Sequence, residues 1–191
     1  RRAFAVSIQT AEGSVSPLSS LQSVYAEILV AAYGSRQDRD RRDEMLETHR
    51  RLVGALTAVR EPLAVRTLAA LVGLEEDEAR KALEPLSSVI AVPADDDKPV
   101  HFYHASFLEF LLCEPPPRRS TPVRKCLISS TRSHAALARR SLGLMNRFLH
   151  RNMLELSEPS VLNCMIPNRH LALERHIPSH LRYACLYWAE H

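Results

Sequence analysis

The apolar residues of one stretch, VHFYHASFLEFLL, change their spacing halfway along it. Val100 and Phe102 alternate with polar neighbours as in a β-strand, whereas Phe107 and Leu111 lie four apart, as on one face of a helix. An earlier stretch, SSVIAVP, predicts a second short strand, and the aspartate-rich ADDDK predicts the turn between them. The sequence therefore predicts a small β-hairpin that passes directly into a helix, with His104 at the junction.

Helical spacing dominates the rest of the chain. The 12 prolines against only 5 glycines indicate helices that end at prolines and few tight hairpins. Over 39–113 the predicted order is a long helix, a short helix, a turn, an acidic helix and the hairpin, which is the layout of a winged-helix domain. We therefore expect a mainly α fold: a winged-helix domain with a two-stranded β-hairpin, followed by an α-helical extension.

The predicted organisation has five segments. In order, they are a linker at 1–16, a connecting helix at 17–38, the winged-helix domain at 39–113, a proline-rich basic linker at 114–130 and a helical extension at 131–191. Because the chain starts without methionine and its last helix has no stop signal, we expect a fragment of a longer protein, cut within a helical array.

The apolar positions also predict which side of each helix is buried. In the first helix these residues are Leu21, Val24 or Tyr25, Ile28, Leu29 and Ala32. In the helix at 39–60 they are Met45, Leu46, His49, Leu52, Val53, Leu56 and Val59, and in the acidic helix Leu74, Ala79, Leu83 and Leu86. In the extension they are Leu137, Ala138, Leu142, Leu144, Met145, Phe148 and Leu149, and then Leu181, Ala184, Cys185 and Trp188.

Cysteine usage and hydropathy indicate the compartment. The four cysteines show neither CxxC pairing nor zinc-type spacing, which favours a reducing, cytoplasmic setting. No apolar run has transmembrane length and the amino terminus is not signal-like, so we expect no membrane partner.

Motifs for catalysis and for metal or nucleotide binding are missing from the sequence. There is no G-x-x-x-x-G-K-[ST] loop, no GxGxxG and no G-x-S-x-G elbow, so these residues alone cannot form a phosphate-loop NTPase or that type of hydrolase. His101 and His104 are three apart at a strand end, and Pro178 separates His176 from His180, which disfavours metal binding. We expect no catalytic residue, no metal site and no cofactor held by this chain alone.

The charge distribution bears on nucleic-acid binding. A winged helix that reads DNA usually presents Lys and Arg from the helix before the hairpin. Here that helix carries five acids, which are Glu75, Glu76, Asp77, Glu78 and Glu84. The predicted wing tip carries three aspartates, Asp95, Asp96 and Asp97. Residues 114–151 hold nine Arg or Lys against one acid, Glu114, and are interpreted as a solvated face with a basic linker. We expect no nucleic-acid partner, with a nucleic-acid-binding module that uses 114–151 as the alternative.

Two interpretations of His104 remain open at this point. Its ring can be satisfied by a backbone carbonyl at the strand end, or it can present a nitrogen to an anion beside the helix amino terminus. Ser106 and Glu109 have the S-x-x-E spacing of a capping box, which predicts a helix at 106–113. Spacing alone does not choose between the two.

Six ordered blocks over residues 18–191 resemble a known family. They are LQSVYAEIL, RRLVGALTAVREPLAVRTLAALVGL, ALEPLSSVIAVP, HASFLEFLL, LGLMNRFLHRNMLEL and HIPSHLRYACLYWAEH. They are similar to the region after the NTPase core in fungal NACHT-domain proteins, which belong to the STAND NTPases and are NLR-like relatives of innate immune receptors.

The resemblance implies a regulatory role in signal transduction. In such proteins the winged helix packs on an upstream NACHT domain and holds the ADP-bound, inactive state. Repeats or a helical array follow it in the chain. The active full-length protein oligomerises. ATP and ADP are then cofactors of the whole protein. His104 matches a family histidine that contacts an ADP phosphate. Ala105 stands where many plant relatives carry Asp, whereas Ser106 and Phe107 fit the animal-type pattern.

Overall fold

Helices form most of the residues that the computed structural model describes, which are 17–34, 39–95, 97–113 and 121–191. They are α1 (Pro17–Tyr33), α2 (Arg39–Ala58), α3 (Val65–Val72), α4 (Glu76–Leu83), α5 (Ala105–Leu112), α6 (Thr121–Cys126), α7 (Ser130–Phe148), α8 (Arg169–His176) and α9 (Ser179–Tyr187). Strands β1 (Ile90–Ala91) and β2 (His101–Phe102) pair in one antiparallel sheet. The expected mainly α fold with a small two-stranded sheet is confirmed, and the predicted linker at 1–16 lies outside the described residues.

Helices α2, α3 and α4 pack against one another, and the buried faces of α2 and α4 are as predicted. Leu46, His49, Leu52, Val53, Leu56, Leu74, Ala79, Leu83 and Leu86 are all buried. Gly73 ends α3 in the left-handed region (φ 72°), where glycine has no Cβ penalty. The N–H groups of Gly73 and Leu74 donate to the carbonyls of Ala70 and Ala69 at 3.2 and 2.9 Å, which closes the helix end.

The hairpin is joined by a third extended segment that the sequence did not predict. Across the hairpin, Ile90 pairs with Phe102. On the other side of the second strand, Ala64 bridges to Pro99 and the Val100 N–H donates to the Leu63 carbonyl at 2.9 Å. This segment is too short to show an alternating pattern, so only tertiary pairing reveals it.

Part of the predicted linker at 114–130 is a helix with buried residues. Residues 114–120 lie outside the described part of the chain, but 121–126 form α6. Val123, Cys126 and Ile128 are buried, and the Ile128 N–H donates to the Leu111 carbonyl at 2.9 Å. The linker prediction is corrected here, because prolines and basic residues hid an apolar stripe too short to show a period.

The buried stripe of α1 is narrower than predicted. Tyr25, Leu29 and Tyr33 are buried at i, i+4, i+8 spacing, whereas Leu21 and Val24 are 37% and 49% exposed. The Tyr25 ring lies 5.0 Å from that of Phe107. Helices α5 and α6 thus cover only one edge of the predicted apolar face of α1.

Helix α7 packs on α2, α3 and α9, and its buried face combines small residues with only part of its predicted apolar face. Ser133, Leu137 and Ser141 are buried, whereas Leu142, Phe148 and Leu149 are exposed. Small side chains permit a close approach of α7 to α2, so these positions, which look polar in the sequence, form the interface. The predicted face of α7 is therefore correct at the buried Leu137 and at Leu144, which packs against the core, and wrong at Leu142, Phe148 and Leu149.

Helix α9 is also rotated relative to its predicted face. Leu181 and Ala184 are buried as expected, but Cys185 and Trp188 are exposed and Tyr183 is buried instead. The Tyr183 hydroxyl accepts a hydrogen bond from the Arg60 N–H at 3.1 Å. A polar anchor between α2 and α3 therefore places the tyrosine inward, which an apolar count cannot anticipate.

Candidate functional site

His104 immediately precedes α5 and caps its amino terminus. The backbone of His104 is extended (φ −143°, ψ 136°), and its Nδ1 accepts a hydrogen bond from the Ser106 N–H at 3.1 Å. The capping box predicted from Ser106 and Glu109 is therefore wrong, because α5 begins at Ala105 and uses an imidazole nitrogen as its cap. A backbone N–H, and not the carbonyl expected for a structural histidine, satisfies this nitrogen.

A chain of hydroxyl groups links His104 to the core. Ser106 Oγ lies 2.7 Å from His104 Nδ1 and 2.7 Å from the hydroxyl of the buried Tyr25. Because Nδ1 accepts from the Ser106 N–H, neutral His104 carries its proton on Nε2. Tyr25 can then donate to Ser106, and Ser106 to His104. The network thus connects the ring to Tyr25 of α1, which lies 81 positions before Ser106 in the chain.

The other ring nitrogen of His104 is available to a ligand. The side chain is exposed, and among the described residues its ring bonds only to Ser106. The Nε2–H thus offers one hydrogen-bond donor beside the amino terminus of α5, where the helix dipole also favours an anion. This arrangement can bind one phosphate or carboxylate oxygen.

The surface beside His104 is open. Tyr103 is 63% exposed, and its ring lies 6.2 Å from that of the exposed His101. His101 Nδ1 is 3.3 Å from the Pro99 carbonyl, so it donates to that oxygen. Next to His104 in the chain, Tyr103 therefore presents an exposed aromatic ring, and His101, three positions earlier, is exposed as well.

His49 is a buried structural histidine and contrasts with His104. Its Nδ1 lies 2.9 Å from the Tyr33 hydroxyl, and its Nε2 lies 2.9 Å from the Cys126 carbonyl. Since a carbonyl only accepts, Nε2 carries the proton and Tyr33 donates to Nδ1. Burial lowers the pKa of His49 to about 4 because the charged form loses its hydration. His49 thus joins α1, α2 and α6 as a neutral side chain.

The His, Cys, Asp and Glu side chains were compared with the requirements of a metal site, and the cysteines with those of a reactive thiol. No group of three or more His, Cys, Asp or Glu side chains is placed to hold a metal ion there. All four cysteines are free, and burial raises the pKa of the Cys126 thiol to about 12, which keeps it protonated and unreactive. In the same part of the chain, no helix has the length and apolar character needed to span a membrane.

The two elements expected to face DNA present acidic side chains. On α4, Glu75, Asp77 and Glu78 are exposed, and Glu76 is engaged by Arg80 at 2.8 Å. At the hairpin tip, Asp97 pairs with Arg66. Phosphate would be repelled from the exposed face of α4.

The basic residues described within 121–151 do not all lie on one surface. Lys125 pairs with Asp43 at 3.6 Å, and the Arg147 guanidinium lies 5.1 Å from the centre of the Phe148 ring. Arg132, Arg139 and Arg140 instead line a groove between α2 and α7. Sequence reasoning missed this convergence, because the other wall of the groove lies about eighty residues earlier in the chain.

Comparison with models of known protein families, with curated proteins and with solved structures finds no match to this chain. The relation to NACHT proteins therefore rests on the six sequence blocks and stays a prediction.

Proposed function

We propose that this chain is a non-catalytic regulatory segment of a cytoplasmic NACHT-type STAND NTPase of the fungal, NLR-like kind. In this proposal the segment packs on the upstream nucleotide domain and helps to hold the ADP-bound, inactive state. The observation that carries it is His104, an exposed imidazole whose Nε2–H is left free by a cap to Ser106.

The element order of α2–α5 supports assigning a winged helix to this region. One helix is followed by an extended segment at Ala64, two short helices and a hairpin, and the extended segment pairs with the hairpin. The acidic face of α4 favours a basic protein surface over nucleic acid as its partner. We therefore assign the winged helix to docking, and the nucleic-acid alternative is disfavoured.

A single hydrogen bond from His104 to phosphate would be sufficient to bias a conformational switch. A charge-assisted hydrogen bond contributes about 1.5–3 kcal/mol, which is roughly a 10-fold to 150-fold change in a two-state equilibrium. The bias exists only if the nucleotide contacts His104 in the closed state and not in the open one. ADP bound by the NTPase core and touching His104 would satisfy that condition.

Exposed apolar side chains on the later helices support contact with a downstream helical array. Leu142 and Phe148 on α7, Leu149 directly after it and Leu171 on α8 are all exposed. In the proposed whole protein, release of the latch would permit oligomerisation. We propose no activity for these residues alone, and an inert helical scaffold is the remaining alternative.

The test separates the capping role of His104 from its proposed ligand role. In the longer protein that includes the NTPase core, His104→Asn keeps a side-chain oxygen able to cap α5 but removes the Nε2–H donor. We expect this variant to unfold at nearly the wild-type temperature and yet to oligomerise without activator, as measured by light scattering. His101→Asn, an exposed neighbour outside the cap, serves as the control and should stay monomeric.

A monomeric His104→Asn protein of normal stability would assign His104 to capping alone. The chain would then fit the inert-scaffold alternative.

A further inference from the structure

A groove of about 530 Å³ lies between α2, the end of α3 and the first half of α7. Five guanidinium groups line it against one carboxylate, that of Glu47: Arg50, Arg51, Arg132, Arg139 and Arg140. Its floor is apolar and includes Ala55, Val72 and Leu137. A cleft with charges of one sign over an apolar floor concentrates the electric field and attracts counter-ions.

Two of the five arginines have partners that hold them at the groove. Arg51 Nη2 donates to the carbonyls of Val72 and Gly73 at 2.6 and 3.1 Å, which satisfies the carboxyl end of α3. Arg50 lies 3.6 Å from Glu47 in an exposed ion pair, which contributes little to stability. Arg51 is thus a fixed part of the wall.

The three arginines of α7 have no such partners. Within the described residues, no ion pair or hydrogen bond engages the side chains of Arg132, Arg139 or Arg140. Their i, i+7, i+8 spacing places all three on one face of α7. The Arg140 guanidinium also lies against Gly73, 2.7 Å from where a Cβ would stand, so it shares the carboxyl end of α3 with Arg51.

The amino terminus of α7 adds the same sign of potential. Ser129 caps this 19-residue helix by accepting from the Arg132 N–H at 3.4 Å, and both Ser129 and Ser133 line the groove. The hydroxyl groups supply further donors, and the helix dipole is positive at this end. Guanidinium groups, hydroxyls and dipole therefore all favour an anion in one place.

We propose that this groove binds a small molecule that carries several phosphate groups. Guanidinium forks match phosphate oxygens in bidentate pairs, and five arginines clustered around a single acid repel one another until an anion neutralises them. The volume suits a small ligand. No aromatic side chain lines the groove, so it lacks the stacking platforms that single-stranded nucleic acids use.

This site is separate from the proposed latch. His104 lies on the β2–α5 junction and does not line the groove. Anion binding in the groove is therefore independent of the NACHT assignment, and different experiments test the groove and the His104 latch.

The test titrates the 191-residue chain with inorganic tripolyphosphate in a calorimeter at about 0.15 M ionic strength. We expect saturable binding that Arg132→Gln/Arg139→Gln weakens by about 10-fold or more. The matched control, Arg124→Gln/Arg147→Gln, removes the same charge from exposed arginines outside the groove and should change affinity by less than about twofold. His104→Asn should leave the affinity unchanged.

Three results would overturn the proposal. One is the absence of binding, and another is equal weakening by both double variants, which would indicate general charge attraction. The third is tighter binding of an oligoglutamate peptide or a short DNA duplex than of tripolyphosphate, which would assign the groove to a macromolecule. Both double variants replace exposed side chains, so circular dichroism should show wild-type helicity in each.

Discussion

The two histidines His49 and His104 show how one residue type serves two roles. His49 has both ring nitrogens engaged in the core, by Tyr33 and by the Cys126 carbonyl. His104 has one nitrogen engaged by Ser106 and is exposed. The first residue is a stabilising link between helices, whereas the second can exchange solvent for a ligand.

Burial of neutral His49 predicts a pH-dependent stability. Its pKa is about 4 in the fold and about 6.5 in the unfolded chain, so the unfolded state binds the proton first as the pH falls. Stability is therefore full above about pH 6.5 and decreases towards pH 4 by about 1.4 kcal/mol per unit. Urea titrations should show a free energy of unfolding about 2 kcal/mol lower at pH 5 than at pH 7.

The matched variant is His49→Gln, which lacks a titrating ring. Its unfolding free energy should be lower at pH 7, and its decrease towards pH 5 should be smaller than in the wild type. Identical pH slopes in the two proteins would contradict a neutral, buried His49.

The sequence predicted the position of both histidines but not their partners. His49 falls on the apolar side of a strongly periodic helix, and His104 stands where the hydrophobic period changes. The partner Tyr25 is 81 positions from Ser106, and such long-range contacts leave no local pattern. Ser106 was predicted as the cap because hydroxyl caps are frequent, whereas an imidazole cap has no common sequence signature.

At the scale of elements, the α2–α7 interface depends on small residues. An ideal Cβ on Gly54 of α2 would stand 2.8 Å from Ser133 Oγ and 3.8 Å from Ile128 on the facing side. Gly143 lies on α7, and an ideal Cβ built there has no other atom within 4 Å. These two helical glycines therefore respond differently to the same substitution.

We predict opposite effects for leucine at the two glycines. Gly54→Leu should lower the free energy of unfolding by about 1–3 kcal/mol, because the added side chain wedges α2 from α7. Gly143→Leu should raise it by up to about 1 kcal/mol, since leucine is the better helix former. Chemical denaturation measures both, and destabilisation of equal size at the two positions would contradict the close packing at Gly54.

Apolar spacing predicted some of the buried helix faces and missed others. The buried faces of α2 and α4 follow from apolar spacing alone. Helix α6 has 6 residues, too few to show a period. The face of α7 was partly wrong because Ser133 and Ser141, which count as polar, are buried beside Leu137. Packing density, and not hydrophobicity, decided that interface.

At the scale of the whole molecule, the predicted extension shares its core with the earlier helices. Leu137 of α7 and Tyr183 of α9 belong to the same buried cluster as Leu52 of α2 and Leu68 of α3. Tyr187 donates to Glu61 at 3.1 Å, which ties α9 to the connection between α2 and α3. Helices α7 and α9 therefore share one core with α2 and α3.

The proposed latch acts at this same scale, since it joins this chain to a nucleotide domain. The direct measurement is the dissociation rate of ADP from the longer protein that includes the NTPase core, followed with a fluorescent analogue. We predict that His104→Asn speeds dissociation by about 10-fold or more, while His101→Asn leaves it unchanged. An unchanged rate in a folded His104→Asn protein would contradict the latch.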